Sequence, residues 1–232
     1  MGNYRIDRLV LGAIATNCWI VAYPPDGKDG PEGASAGEII AGLCAVIDPA
    51  EQAGLIIAHL NRRRLRPAHI LLTHGHFDHL AALPDLAGAY PEALIAVHRE
   101  DARYLGGGAL EVHRESFSAA GGSAAYVDGL WKAMPAPSRL LEDGDRIGPF
   151  TVLSLPGHTP GSAGFYLPEE NTLFSGDTLF QGDCGRVDLP GGEQGKIEES
   201  LKRLLAMDGG IRVLPGHGPD TSIAAERETR FF

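Results

Sequence analysis

The run Thr73-His74-Gly75-His76-Phe77-Asp78-His79 constrains this 232-residue chain more than any other feature. Four potential metal ligands fall within six residues, directly after the apolar stretch Ile70-Leu71-Leu72. Side chains two apart on an extended segment share a face. His74, His76 and Asp78 therefore point one way, and His79 joins them only where the backbone turns from strand into helix. Neutral imidazole is a ligand for zinc, iron, copper and nickel, and a carboxylate adds a harder oxygen. Four ionisable groups packed so closely are costly without a cation among them. The run predicts a strand that ends in a metal-binding loop.

The rest of the chain supplies strands to surround that loop. Arg5 to Leu11, Asn17 to Tyr23 and Ile39 to Ile47 have strand character, the last ending at Asp48-Pro49. Pro24 to Gly37, rich in Pro, Gly and Asp, is expected to form a long hairpin loop. Glu51 to Leu65 has helical spacing, and helices are expected over Leu80–Leu86 and from Arg99 to Leu105, with a strand at Leu94–Val97 between them. After residue 138 come a hairpin about Gly148-Pro149, strands on either side of Pro168-Glu169-Glu170-Asn171, a helix over Lys196–Met207 and a strand at Arg212–Leu214. Each half thus runs strands first and helix afterwards. Two sheets packed face to face, with helices on both outer faces, satisfy that order.

Between the halves, about 106–137 shows little periodicity and three Gly/Pro clusters, Gly106-Gly107-Gly108, Gly121-Gly122 and Pro135-Ala136-Pro137. It is expected to be a variable insert, either a flap over the site or a surface excursion. The whole of 1–232 is expected to form one domain.

Composition narrows the partners. A formal charge of −10 disfavours nucleic acid, whose phosphates are bound mainly by Lys and Arg. The cluster Arg62-Arg63-Arg64-Leu65-Arg66 is read as the solvated, dipole-complementing end of a helix. No window approaches the ~18 apolar residues of a membrane span and no signal peptide is evident, so a cytoplasmic location and a small-molecule partner are expected, with self-association left open. Cys18, Cys44 and Cys184 are odd in number and form no C-x-x-C pair, so neither a disulfide framework nor a thiolate site is suggested.

Three later points follow strands, each after a glycine: Gly157-His158, Gly176-Asp177 and Gly216-His217. Singly they are weak signals. Together with the opening run, the ordered series His74-x-His76-x-Asp78-His79, His158, Asp177, His217 resembles the ligand series of the metallo-β-lactamase-fold hydrolases, and the resemblance spans essentially the whole chain. It implies an α+β fold, a four-layer αββα sandwich, with a dinuclear site. His74, His76 and His158 would hold the first divalent metal and Asp78, His79 and His217 the second, with Asp177 bridging; zinc is the expected metal, iron or manganese the alternatives.

The subgroup most similar is the single-domain glyoxalase II-like hydrolases. It shares the Asn17-Cys18 strand start, His158-Thr159-Pro160-Gly161-Ser162, Gly176-Asp177-Thr178-Leu179-Phe180 and Gly185-Arg186-Val187-Asp188-Leu189-Pro190-Gly191-Gly192, departing at Val187, where members usually carry Thr. The resemblance implies hydrolysis of a thioester, an S-2-hydroxyacyl thiol, by a metal-bridging hydroxide, with Asp78 orienting the water. Arg186 is a candidate for binding a substrate carboxylate, or for a structural salt bridge. Only about fifteen residues follow His217, so the helical C-terminal domain that contacts glutathione in full-length glyoxalase II is not expected, and the thiol stays open. The sharpest alternative is a mononuclear iron persulfide dioxygenase, using His74, His158 and Asp177. A lactonase and a non-catalytic metal-binding protein are further alternatives. An antibiotic-cleaving β-lactamase fits less well, since many of those lack an aspartate of the Asp177 type.

Overall fold

The computed structural model describes residues 4–24 and 42–229; the expected hairpin loop from Pro24 to Gly37 lies almost wholly outside them. The first sheet holds β1 (Arg5–Leu11), β2 (Thr16–Ala22), β3 (Gly42–Ile47), β4 (Leu65–Leu71), β5 (Leu94–His98) and β6 (Arg139–Leu141), hydrogen-bonded in that order. The β1–β2 and β2–β3 pairs are antiparallel, and from β3 to β6 the pairing is parallel. The second sheet holds β7 (Arg146–Ile147), β8 (Phe150–Ser154), β9 (Ala163–Leu167) and β10 (Thr172–Gly176). A short hairpin of β11 (Leu179–Phe180) and β12 (Asp183–Cys184) follows, and β13 (Arg212–Pro215) and β14 (Thr221–Ser222) complete the second sheet beyond β10.

Alternation along β2 shows how the layers are built. Trp19 and Val21 pack with Phe150, Phe165, Phe174 and Leu214 of the second sheet, while Cys18, Ile20 and Ala22 belong to a separate cluster on the outer face. Every residue of β2 is buried, because each face has a layer against it. From Cys18 to Ala22 the strand is therefore apolar without a break, rather than alternating with polar residues. Between the sheets Trp19 meets Phe174 edge-on, ring centroids 6.0 Å apart. The outer face of the first sheet is covered by α1 (Ala53–Arg63), through Ile56 and Leu60, and by α3 (Leu83–Ala89), through Leu83 and Leu86. The outer face of the second is covered by α6 (Gln194–Leu205), through Ile197, Leu201 and Leu204, and by α7 (Ile223–Glu226). The layers run helix, sheet, sheet, helix, as the order of elements predicts.

The structure corrects two local expectations. The helix expected over Leu80–Leu86 is broken: α2 (Phe77–Leu80) forms a single turn, and α3 restarts with a proline in its first turn. The insert is not irregular. It carries α4 (Ala109–Ala119) and α5 (Ala124–Leu130), and Phe117 of one stacks on Tyr126 of the other at 4.8 Å. Ala109, Val127 and Met134 are buried in the outer cluster of the first sheet, so the segment is anchored to that layer. Cys18 and Cys44 are packing residues; burial pushes the Cys44 thiol up to about 12.

Candidate metal centre

All seven residues predicted as ligands meet where loops from the two sheets face each other. β4 delivers Thr73 and the His74–His79 turn, with His76 the last extended residue before α2. The loop after β8 delivers His158, the end of β10 delivers Asp177, and the end of β13 delivers His217. Backbone bonds tie these loops together: Ala163 N–H donates to Thr73 O at 2.7 Å, Gly216 N–H to Gly176 O at 2.9 Å, and Asn17 N–H to Gly216 O at 2.7 Å. The Asn17 side-chain amide adds bonds to the carbonyls of Pro215 (3.0 Å) and Gly218 (2.9 Å), so the start of β2, at Asn17-Cys18, grips the His217 loop.

The glycines before the later ligands serve two needs. Gly157 has φ 139°, a left-handed conformation that a side chain would strain. At Gly216 a Cβ would overlap Asp177 Oδ1 and crowd the His79 ring.

The ligand atoms form two adjoining groups. One brings together His74, His76 and His158, the other Asp78, His79 and His217, with the atoms of each group within 4.8 Å of one another. His76 Nδ1 lies 2.8 Å from His158 Nε2. His79 Nε2 lies 3.2 Å from His217 Nε2, and Asp78 Oδ2 is 3.3 Å from both. Asp177 spans the groups: its oxygens are 3.5 Å from His79 Nε2, 3.5 Å from His217 Nε2 and 3.7 Å from His158 Nε2.

Hydrogen bonds at the far ring nitrogens aim the near ones inward. His158 Nδ1 donates to the carbonyl of Arg186 at 2.7 Å, and His79 Nδ1 to Asp48 Oδ2 at 3.0 Å. Each bond occupies Nδ1 and leaves Nε2 as the nitrogen that faces the site and is offered to a metal. His74 Nε2 and Asp177 Oδ1 are buried with no hydrogen-bond partner. Lone pairs and carboxylate oxygens converging without donors between them are unfavourable unless a cation fills the gap. The donor set therefore fits two cations.

The titration behaviour agrees. Burial and the neighbouring imidazoles hold His74 well below the usual histidine range, and burial and His158 take His76 down to about 3. Burial opposes the ionised carboxylates, but the surrounding histidines win: Asp177 falls to about 2 and Asp78 lower still. Burial also opposes charge on His79 and His217, yet Asp78 and Asp177 raise both.

Two buried aspartates that the sequence motifs do not reveal support the ligands. Asp48, in left-handed backbone at φ 50°, accepts from Thr73 N–H (2.8 Å), Thr73 Oγ1 (2.6 Å) and His79 Nδ1. Asp101 accepts from Gly75 N–H (2.8 Å), Gly161 N–H (2.8 Å) and Thr159 Oγ1 (2.7 Å), and so joins the His74–His76 loop to the His158 loop. Thr16 Oγ1 donates to Asp78 Oδ2 at 2.9 Å. Arg186 lies on the rim of the site, where its guanidinium forms a bidentate pair with Asp188 at 2.6 and 2.7 Å.

Above the ligands opens a cavity of about 490 Å³ bordered by His76, Asp78, His158, Asp177, His217 and Arg186. Ala120, at the end of α4, lines it too, so the insert borders the site. Among the described residues no helix is long and apolar enough to cross a membrane.

Comparison with known proteins places this architecture. A family model described as the metallo-beta-lactamase superfamily matches residues 30–217. The chain is 34% identical to "Probable metallo-hydrolase YqgX" of Bacillus subtilis, over 82% of this chain and 86% of that protein. It is 32% identical to "Hydroxyacylglutathione hydrolase GloC" of Haemophilus influenzae, over 81% of this chain and 86% of that one. The solved structure of TTHA1623 in a di-iron-bound form superposes with a TM-score of 0.78 at 35% identity, covering 97% of this chain and 98% of the other. Ligand-bearing loops, sheet order and similarity to both sequences and structures converge, and the chain belongs to the metallo-beta-lactamase superfamily.

Proposed function

We propose that this protein is a metal-dependent hydrolase of thioesters, working as one unit in which both halves supply ligands. The observation that carries this reading is the pair of three-ligand groups joined by Asp177 on the floor of an open cavity. His74, His76 and His158 would hold one divalent cation and Asp78, His79 and His217 the other, with Asp177 between the two groups. Such a pair of cations supplies hydroxide at neutral pH and polarises a carbonyl oxygen.

The chain's own residues do the positioning. Asp78 is held ionised by His79 and His217 and fixed in orientation by Thr16, so its carboxylate is an acceptor that orients the attacking water. His158 and His79 keep the tautomers set by Arg186 O and Asp48. The leaving thiol, with an ordinary pKa of ~8.5, departs as thiolate without a dedicated general acid. The Arg186 guanidinium is engaged with Asp188, and a role in holding a substrate carboxylate requires it to exchange that partner. The similarity to a hydroxyacylglutathione hydrolase supports the thioester class.

Zinc is our first choice of metal, and the di-iron form of a similar structure makes iron the alternative to test. Protein loaded separately with zinc and iron is assayed against S-lactoyl and short acyl thioesters, lactones and glutathione persulfide. Thioester hydrolysis with about two metals per chain supports the proposal. Oxygen consumption on the persulfide with one iron per chain, and no thioester cleavage, overturns it.

A further inference from the structure

Strand β1 ends its sheet: it pairs with β2 on one side, and no strand lies beyond it among the described residues. The bonds of β2 show which of its groups are open. Asn17 N–H donates to Gly216 O and Tyr23 N–H to Leu43 O, so the odd-numbered residues along β2 turn their amides away from β1. Antiparallel pairs alternate between bonded and unbonded. Arg5, Asp7, Leu9 and Leu11, opposite the even-numbered residues, therefore bond β2, while Ile6, Arg8 and Val10 turn N–H and C=O to the open edge.

Helix α1 stands along this edge. Leu55, Ala58, His59 and Arg62, spaced as one face of a helix, border a groove of about 360 Å³ together with Arg8 to Leu11 of β1. Leu55 is 55% exposed and Val10 56%. Cations rim the groove. Arg5 Nε and Arg63 Nε each lie 3.4 Å from Asp7 Oδ2, which also accepts from His59 Nε2 at 2.9 Å. Arg62 donates to His59 Nδ1 at 3.0 Å and forms no ion pair among the described residues. Asp7 is thus one carboxylate among three guanidinium groups, on a chain of formal charge −10. The dipole of α1 accounts for cations at its end. It does not account for a leucine and a valine left in water beside an open strand edge.

We infer that this groove is a docking site for an extended acidic segment of a partner protein, which adds to the sheet as a strand beyond β1. Its main chain bonds the open groups of Ile6, Arg8 and Val10, its apolar side chains cover Leu55 and Ala58, and its carboxylates reach Arg62 and the Arg5–Arg63 pair. A second copy of this chain is a poorer occupant. Pairing β1 with itself about a two-fold axis sets one cluster of arginines against the other, and like charges on an edge strand keep copies apart. Charges beyond ~8 Å are screened at physiological ionic strength, so the acidic remainder of the chain does not repel an acidic strand from this spot.

The test uses the full chain and a fluorescein-labelled peptide of alternating glutamate and leucine, matched in length to the seven residues of β1. Fluorescence anisotropy at a salt concentration of about 0.15 M measures its binding. Two control peptides separate the contributions. Methylating every backbone nitrogen keeps the side chains and removes the main-chain donors, and replacing glutamate by lysine reverses the charge. We expect each control to bind at least about tenfold more weakly than the parent peptide. Leu55→Glu and Arg62→Glu change exposed side chains, so thermal melts stay as in wild type while each weakens the parent peptide by about fivefold. No binding of the parent peptide up to ~1 mM overturns the inference. So does equal binding of the methylated peptide, which reduces the groove to a diffuse charge, or affinity unchanged in both variants. Sedimentation velocity of the protein alone tests the other occupant: a dimer that Leu55→Glu dissolves assigns the groove to a second copy and overturns the choice of partner.

Discussion

Replacing Asp101 probes the link between fold stability and the ligand geometry. Its two carboxylate oxygens accept three hydrogen bonds, from Gly75 N–H, Gly161 N–H and Thr159 Oγ1, in an environment with no solvent exposure. Burial raises its pKa, while the donors and Arg103 oppose that rise, so the three bonds sustain the ionised form against desolvation. In Asp101→Ala, two backbone N–H groups and a hydroxyl lose their acceptor. Each stranded donor costs ~1–3 kcal/mol, offset by the desolvation no longer spent on the carboxylate, which leaves a net loss of about 3–5 kcal/mol. For a chain of this size ~2–4 °C of Tm accompanies each kcal/mol, so Tm falls by about 10 °C. Asp101→Asn keeps one acceptor oxygen but sets its amide against an N–H donor, and its loss is about 1–3 kcal/mol. Because Asp101 holds the loops of His74–His76 and His158 together, both variants also weaken the first metal site. Thermal melts of metal-free protein give the stability, and cobalt titration followed by visible absorption gives the affinity. An Asp101→Ala protein whose Tm and cobalt affinity match wild type refutes the account.

The shared carboxylate of Asp177 makes Asp177→Ala bind about one metal per chain rather than two, measured by elemental analysis, and lose more activity than the ~10–100-fold typical of outer-shell changes. Asp48→Asn removes the anionic partner of His79 Nδ1 and is expected to weaken metal affinity by ~10–100-fold while two metals still bind at saturation. Metal affinity also depends on pH. Asp78 and Asp177 raise the folded pKa of His79 and His217 in metal-free protein. Their stabilising contribution is complete below the unfolded value of ~6.5 and lost as pH rises through the folded values. Binding needs both rings neutral, so metal uptake at pH near ~6.5 releases protons, and affinity climbs by up to ~tenfold per pH unit for each proton displaced. Uptake without proton release in a weakly buffered titration counts against this. Gly216→Ala forces a methyl group against Asp177 and His79, and overpacking of ~1–3 kcal/mol should appear as a lowered Tm together with loss of one bound metal.

The candidate metal centre was legible because the residues that form it are announced locally. Each follows a strand of Val, Ile, Leu and Phe, and three sit behind a glycine whose backbone or closeness the site requires. The layers were legible for a similar reason, since the stretches Cys18 to Ala22, Cys44 to Ile47 and Ile70 to Leu72 are covered on both faces and read as short apolar runs. Asp48 and Asp101 were not. Half of their donors are backbone N–H groups, all six are brought up from 25 to 60 residues away, and no spacing rule encodes such a meeting.

The helix α4 was hidden for a different reason. Its buried positions are Ala109, His113 and Ser116, so the side that faces inward is half polar and lacks the apolar stripe by which a core helix is recognised. Phe117 and Val112, the larger apolar residues, are only partly buried. A helix built this way gives up burial energy at the positions where a leucine would stabilise it most. His113 recovers part of that cost through Tyr104 O, but its other nitrogen recovers nothing from the described protein. Departures of this kind, where local rules fail without a compensating contact, are expected at functional sites. α4 brings His113 and Ser116 to the wall of the cavity that Asp78 and His76 also line, so the helix departs from core-helix rules where it meets the metal-binding loops.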